Sequence, residues 1–163
     1  MSRESLRRQL KKLMVEKLTM NNGNSVAEEL KRHAAILANC ILVELDKVYE
    51  SYEPKIYNRT YNLYNSLDVE RTVRIDLSST GAKLSISVYF DDGAMHESFS
   101  GKMVNTAWLI NDGWQTHGRF ANVPMFGYRK ASFFIEKGIE RYKQSVKNPF
   151  AVKLRKGKEV TYF

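Results

Sequence analysis

The histidines and the single cysteine are the first residues of this chain to test for chemistry. His33, His96 and His117 show no metal-ligand spacing to one another or to the cysteine, so we expect no zinc site. His96 and His117 could serve a nuclease, but no lysine or arginine cluster accompanies them. His33 and Cys40 fall on or near the apolar side of a predicted helix, where these residue types usually fill the core.

One acidic turn could also do chemistry. Asp91 and Asp92 stand shortly before His96 and Glu97, and such a group could bind a hard cation or act as general acid and base. Adjacent carboxylates in a turn are more often solvated, and the glycines follow no phosphate-binding pattern. We therefore predict a protein without catalytic residues, bound metal or cofactor, which is not an enzyme.

The composition is that of one globular domain, residues 1–163, with 43% hydrophobic and 27% charged residues. A single cysteine excludes an internal disulfide framework and favours a reducing compartment. No apolar run is long enough to cross a bilayer, and the basic N-terminus lacks the apolar stretch of a signal peptide. We expect no membrane partner.

The net charge of +8 is concentrated at the two ends of the chain. Residues 1–17 carry a net +4 and residues 137–163 a net +6, whereas the middle carries −2. Two basic ends favour an acidic protein surface or nucleic acid as a partner, although solvated helix faces would look the same. The candidate contacts are Arg7, Arg8, Lys11, Lys12, Lys153, Arg155, Lys156 and Lys158.

Periodicity divides the chain into an N-terminal helix with a linker (1–22), a core (25–147) and a basic C-terminal arm or strand (148–163). In the first part Leu6 and Leu10 recur at helical spacing among basic residues. This amphipathic helix could pack on the protein's own core or on a neighbouring subunit, which is commoner than binding a membrane or a calmodulin-like partner.

The core begins with a long helix, from Ser25 to about Tyr52. Ser25 and Glu28 fit a capping box at its start, and Pro54 limits its end. Alternating apolar residues over 69–77 and 84–90 then predict an antiparallel hairpin whose apolar face the helix covers, with Arg71 at the rim.

Residues 91–128 have no clear period, and a span this long either is functional or contains elements that the pattern does not reveal. Residues 130–147 return to helical spacing. The predicted fold is therefore α+β: a long N-terminal helix packed on a small antiparallel sheet, with a second helix near the C-terminus.

Aromatic residues gather in the two irregular regions, among them Tyr57, Tyr61, Tyr64, Trp108 and Trp114. Tyr and Trp combine a large contact area with a polar group, which favours protein interfaces. The alternative is that they cover the open end of the hairpin.

One stretch resembles a known family. It reads Tyr57-x-Arg59-Thr60-x-x-Leu63-x-x-Ser66-Leu67. This is similar to the Y-x-R-T-G-x-L-x-x-S-I stretch of the neck, or tail-completion, proteins of long-tailed bacteriophages. Ala107-Trp108-Leu109-Ile110-Asn111-Asp112-Gly113-Trp114 resembles the second landmark of that family. Tyr61 stands where the family has glycine.

The resemblance implies a non-enzymatic virion protein at the head–tail junction, assembled in the host cytoplasm. Members form rings of identical subunits between the portal-side adaptor and the tail tube or tail terminator, with possible non-specific contact to packaged DNA. The motif and candidate subunit interface would comprise Tyr57, Arg59, Thr60, Tyr61, Leu63, Tyr64, Ser66, Trp108, Gly113 and Trp114.

In such a protein Arg59 would bind backbone or carboxylate and fix the loop, and Thr60 and Ser66 would cap local turns or the start of a short helix. Leu63 and Leu67 would anchor the motif to the core. The alternative function is a sequence-indifferent nucleic-acid-binding protein that uses its basic ends and exposed aromatics.

Overall fold

A computed structural model of the protein describes residues 3–20, 23–51, 61–78, 81–97, 101–115 and 128–156. Within these ranges the helices are α1 (Arg3–Lys17), α2 (Val26–Glu50), α3 (Asn62–Asn65), α4 (Thr106–Asp112) and α5 (Phe134–Ser145). The strands are β1 (Leu67–Val69), β2 (Arg74–Ser78), β3 (Gly81–Ser85), β4 (Val88–Phe90), β5 (Met95–Glu97), β6 (Met103–Asn105), β7 (Trp114–Gln115) and β8 (Tyr128–Arg129). The fold is α+β, with the long helix and the C-terminal helix as predicted.

The long helix α2 is the centre of the fold, and α5 packs along it. The two helices approach so closely at Gly138 that a Cβ there would lie 2.7 Å from the Cα atom of Ile41. Glycine is therefore the residue that permits this contact, because any side chain would push the backbones apart.

The hydrogen bonding at the start of α2 differs from the prediction. The helix begins after Ser25, but the Ser25 side chain makes no capping hydrogen bond. The predicted capping box with Glu28 is therefore wrong: Glu28 accepts a hydrogen bond from Lys31 at 3.2 Å. Ser25 instead pairs through its backbone with Thr19.

The predicted hairpin is present but interrupted. β1 pairs with β4 and β2 with β3, both antiparallel. Between the pairs Val69↔Val88 and Arg74↔Ser85, residues 70–73 stand opposite only residues 86–87. This extra length is a bulge, which bends and twists the strand pair. Arg71 is exposed within it.

The bulge separates two hydrophobic clusters. The larger one joins the C-terminal half of α2 to the sheet, α4 and α5, and is composed of Ile41, Leu45, Leu63, Ala94, Ala107, Ile110, Phe134 and Ile135. The smaller one joins Ala27 and Leu30 of α2 to Val73, with Phe150 from the C-terminal arm. His33 and Cys40 are both buried, so their prediction as core residues is confirmed.

The region that showed no period contains short elements. Strands β5 to β8 are two or three residues long, which is too short for alternation to be visible in a sequence. Asp91 caps a 3-10 turn by accepting a hydrogen bond from the Gly93 backbone N–H at 2.7 Å. Over residues 151–156 the C-terminal arm forms no strand.

Candidate assembly interface

The end of α4 and the start of α5 cap each other through Asn111. Its side chain is fully buried, and its Oδ1 accepts a hydrogen bond from the Ile135 backbone N–H at 2.9 Å. Its Nδ2 donates to Glu136 Oε1 at 3.1 Å. In return the Asn111 carbonyl accepts hydrogen bonds from the backbone N–H groups of Ser132 and Phe133, both at 3.0 Å. Residues at each helix end therefore hydrogen-bond backbone N–H or C=O groups that the other helix cannot satisfy within itself.

Gly113 follows directly and has no room for a side chain. Its φ is +73°, and a Cβ would lie 2.4 Å from the Arg129 carbonyl oxygen and 2.6 Å from the Ala131 nitrogen. This close approach lets Trp114 pair with Arg129 in the β7–β8 ladder. The second landmark of the sequence is thus a rigid junction between α4 and α5.

The described part of the tyrosine motif begins at Tyr61, which has left-handed backbone (φ 53°, ψ 12°) immediately before α3. Residues other than glycine rarely adopt this backbone conformation. The ring is 51% exposed and meets the edge of Tyr49, with the ring centroids 6.1 Å apart. Tyr57, Arg59 and Thr60 lie outside the described residues.

The remaining motif residues are mostly internal. Leu63 and Ser66 are buried, and the Ser66 hydroxyl donates to the Leu63 carbonyl at 2.7 Å, at the end of α3 and not at its start. Tyr64 and Trp108 pack partly against the larger cluster, and Trp114 is half-buried. Of the predicted interface residues that the structure describes, Tyr61 alone presents a mostly free aromatic surface.

Two exposed aromatics were missed by the sequence reasoning. Phe133 is 52% exposed and, like Tyr61, left-handed (φ 53°) just before a helix. Tyr89 is 44% exposed and points outward from β4. The alternation of Val88 and Phe90 could have revealed Tyr89, whereas the periodicity of 130–147 placed Phe133 inside a helix and so concealed it.

A basic cleft of about 400 Å³ lies between the C-terminal end of α2 and the segment before α5. It is lined by Glu44, Lys47, Val48, Ser51, Arg129, Lys130, Ala131, Ser132 and Lys137. Four of these residues are cationic and one is acidic, so the cleft suits an acidic group. No sequence pattern indicated it, because its walls are about 80 residues apart in the chain.

Among the described residues that line the basic cleft, Glu44 is the acidic one. Its carboxylate accepts hydrogen bonds from Lys47 Nζ at 2.7 Å and Arg141 Nε at 2.8 Å. Burial raises the pKa of Glu44, but the hydrogen bonds from these two cations outweigh burial and leave the pKa below its ordinary value. Glu44 is thus an anion that ties α2 to α5.

The predicted basic contacts fall into different environments. Arg7, Arg8, Lys153 and Arg155 are exposed. The side chains of Lys11 and Lys12, and the whole of Lys158, lie outside the described residues. Lys156 differs, because it is already engaged within the chain.

Lys156 donates to Asp112, and its Nζ lies 5.4 Å from the centre of the Trp108 ring. The hydrogen bond from Lys156 is the largest cause of a lowered pKa at Asp112. Lys156 therefore fastens the C-terminal arm to α4.

The arm is fastened a second time at Phe150. Its backbone N–H donates to the Tyr142 hydroxyl at 2.9 Å, and its ring meets His33 edge-on with centroids 4.8 Å apart. His33 Nδ1 lies 2.8 Å from the same hydroxyl. The other nitrogen, Nε2, faces the Arg32 guanidinium at 3.1 Å. Because a guanidinium only donates, Nε2 accepts, and neutral His33 carries its proton on Nδ1.

Helix α1 contrasts with the rest of the fold because its apolar side is open to solvent. Leu6, Leu10 and Leu13 are 50%, 50% and 49% exposed. The connection to α2 includes a backbone hydrogen bond from the Val26 N–H to the Leu18 carbonyl at 2.9 Å. In the part of the chain that the structure describes, no helix could span a membrane and no group of His, Cys, Asp and Glu could hold a metal.

Comparisons of the chain with protein-family models, with curated proteins and with solved structures find no match. The resemblance to phage neck proteins therefore depends on the motif residues alone.

Proposed function

We propose that this chain is a structural protein of the bacteriophage neck that joins the DNA-filled head to the tail. It acts as one subunit of a ring of identical copies, by assembly and not by catalysis. In the virion it lies between the portal-side adaptor and the tail tube or tail terminator, after assembly in the host cytoplasm.

The observation that best supports this proposal is the left-handed backbone of Tyr61 (φ 53°). The family has glycine at this position, and glycine adopts positive φ without steric cost. The turn before α3 that a glycine would allow is therefore present here despite the tyrosine. Gly113 in the second landmark also has positive φ, so both glycine positions of the resemblance coincide with glycine-like backbone.

The surfaces of the molecule suit a ring. A ring needs two unlike patches on each subunit, so that successive copies join head to tail and the rotation closes. The exposed leucines of α1 and the exposed Tyr89 on the outer side of the β1–β4 ladder are two such surfaces.

The test is complementation of a phage that lacks this gene. We expect that phage to accumulate full heads and separate tails, and the wild-type gene to restore joined virions. Tyr61→Gly should complement, because glycine is unstrained at φ 53°, whereas Tyr61→Val should not, because a β-branched residue disfavours this backbone. Arg59→Ala should also fail. Normal joining without the gene would overturn the proposal.

The basic cleft favours a second candidate, a sequence-indifferent nucleic-acid-binding protein. Lys47, Lys130 and Lys137 line the cleft and could receive phosphates. Electrophoretic mobility shift over a series of salt concentrations separates the two candidates. Tight binding that weakens steeply with salt, and is lost in Lys130→Glu, supports this candidate. Binding unchanged by that substitution contradicts it.

A further inference from the structure

Helix α1 carries an apolar stripe, composed of Leu6, Leu10 and Leu13, whose side chains are about half exposed to solvent. The helix has 15 residues, a length at which an isolated helix is marginal in water and depends on packing of its apolar side. A stable α1 helix therefore requires another surface that packs against this stripe.

The charge of α1 limits what that surface can be. Residues 3–17 carry a net +4, and Arg7 and Arg8 are exposed on the same helix. Pairing α1 with another α1 would bring like charges together around the leucines, at a cost in free energy. The covering surface is therefore acidic around an apolar centre.

The chain carries such a surface on the outer side of the β1–β4 ladder. Its inward residues are the partly buried Leu67, Val88 and Phe90. On the outer side Asp68 stands directly opposite Tyr89, and Tyr89 Oη donates to Asp68 Oδ2 at 3.3 Å.

We call Asp68, Glu70, Tyr89 and Asp91 the acidic face. Its carboxylates lie close to the tyrosine ring: Asp68 is the largest cause of the raised pKa of Tyr89, followed by burial, with Asp91 and Glu70 adding to it. The ring is 44% exposed. It thus offers apolar contact area beside the exposed carboxylates of Asp68 and Asp91, whereas Glu70 is already paired with Arg74 at 2.7 Å. This surface is complementary to leucines flanked by positive charge.

The two surfaces are attached to different parts of α2. α1 joins α2 next to Val26, whereas the β1–β4 ladder packs with Ile41 and Leu45. At 1.5 Å per residue these points are roughly 22 Å apart along the helix. Complementary patches attached to different parts of one subunit favour contact between copies.

We propose that α1 of one copy docks its leucine stripe on the acidic face of a second copy, so that subunits join head to tail. This inference rests on the proposed ring and identifies the two surfaces that build it. Arg7, which flanks the leucines on the helix, pairs with Asp68 or Asp91 of the neighbouring copy, and the leucines cover Tyr89. Arg8, on the far side of the helix, adds to the positive charge of α1. Docking also stabilises α1 as a helix.

A charge exchange tests the proposal. We expect Arg7→Glu/Arg8→Glu and Asp68→Lys/Asp91→Lys each to weaken self-association at least tenfold, measured by sedimentation velocity over a range of concentrations. An equimolar mixture of the two variants should recover assembly, because each reversed helix meets a reversed face and each native helix a native face. Asp68→Lys alone preserves the hydrogen bond by which Asp91 caps the turn at Gly93, and it should also weaken self-association.

Matched controls reverse equal charge elsewhere. Lys143→Glu/Lys147→Glu and Glu50→Lys/Glu140→Lys alter exposed residues outside both surfaces and should leave association unchanged. Amide hydrogen exchange adds a second readout: residues 3–17 should become protected as the concentration rises.

The outcomes separate this inference from the proposed function. If the wild type assembles and the reversed variants assemble equally well, the docking inference is wrong and the ring proposal stands. If the wild type stays monomeric at every concentration, both are overturned. If the protein does not self-associate but α1 binds phosphatidylserine vesicles, the inference is also overturned, because the leucine stripe then packs against lipid.

Discussion

Helices α5 and α1 are amphipathic and of similar length, with 12 and 15 residues, yet one is buried and the other exposed. Phe134, Ile135 and Tyr142 of α5 are almost completely buried, whereas the leucines of α1 are half exposed. The difference lies in what each helix offers its neighbour. Gly138 lets α5 approach α2 closely, but no glycine or alanine occurs in residues 3–17. Amphipathic spacing thus identifies the apolar side, and other features decide what covers it.

The largest effect should come from the junction that fixes α5. Gly113→Ala places a Cβ 2.4 Å from the Arg129 carbonyl oxygen, at φ +73°, so the backbone of 129–131 must move. We expect a loss of at least about 4 kcal/mol in the free energy of unfolding, or failure to fold, measured by urea denaturation.

Gly23→Ala is the matched control for that prediction. Gly23 also has positive φ (+83°), but nothing lies within 4 Å of its Cβ position. It should lose only about 1–2 kcal/mol, the cost of the backbone conformation alone. Equal losses at the two glycines would show that the close approach at Gly113 contributes nothing.

The contact between α2 and α5 can be tested at Gly138. Alanine is about 1 kcal/mol better than glycine within a helix, but here its Cβ would lie 2.7 Å from Ile41 Cα. We expect Gly138→Ala to destabilise by about 1–3 kcal/mol in thermal or urea unfolding. A stabilised variant would mean that the helices separate freely, and the comparison with α1 would fail.

His33 offers a test by pH on the α5 side. Burial is the largest cause that lowers the pKa of His33, and the Arg32 charge lowers it further, against a smaller opposite effect of Glu29. The unfolded chain, with a pKa near 6.5, therefore binds the proton first. Stability is fully present above pH 6.5 and falls as the pH drops towards the folded-state pKa.

The measurement is urea denaturation at a series of pH values between 7.5 and 5, for the wild type and for His33→Asn. The variant should be less stable at neutral pH but show a flatter profile in this window. The carboxyl groups with lowered pKa values, such as Glu44, act at lower pH and should affect both proteins alike. Parallel profiles would contradict the prediction.

The smallest effect is expected in α1. Replacing Leu10 with alanine should change monomer stability by less than about 0.5 kcal/mol, because the side chain is already half exposed. The comparison variant, Leu45→Ala, removes a fully buried side chain and should cost about 2–5 kcal/mol. A large loss at Leu10 in dilute solution would mean that α1 packs within its own subunit.

The regular parts of this fold could be predicted because their signals are local. Apolar spacing of three to four residues identified α2 and the helix over 130–147, and alternation identified the hairpin. Only Arg71, which interrupts the alternation, pointed to the bulge at 70–73. The two extra residues of a bulge depend on how one strand pairs with the other, and the sequence does not show that pairing. Elements of two or three residues, such as β7, carry no period at all.

The candidate site was predicted less well because its contacts are distant in sequence. Nothing near Asn111 indicates that it caps a backbone group at Ile135, 24 residues further on. The C-terminal segment was predicted as a basic arm or strand, since the sequence shows the charge of Lys156 but not its contact with Asp112. Leu63, by contrast, is an apolar residue within a mostly polar and aromatic motif, and this contrast predicted its place in the core.

Cys40 gives the protein a built-in reporter. It is the only thiol in the chain, and it is 5% exposed in the middle of α2. A thiol reagent can reach it only when the surrounding structure opens, so the modification rate counts those openings. Subunit assembly that restrains the central helix should slow that rate, and the difference between dilute and concentrated protein can be followed without introducing a new cysteine.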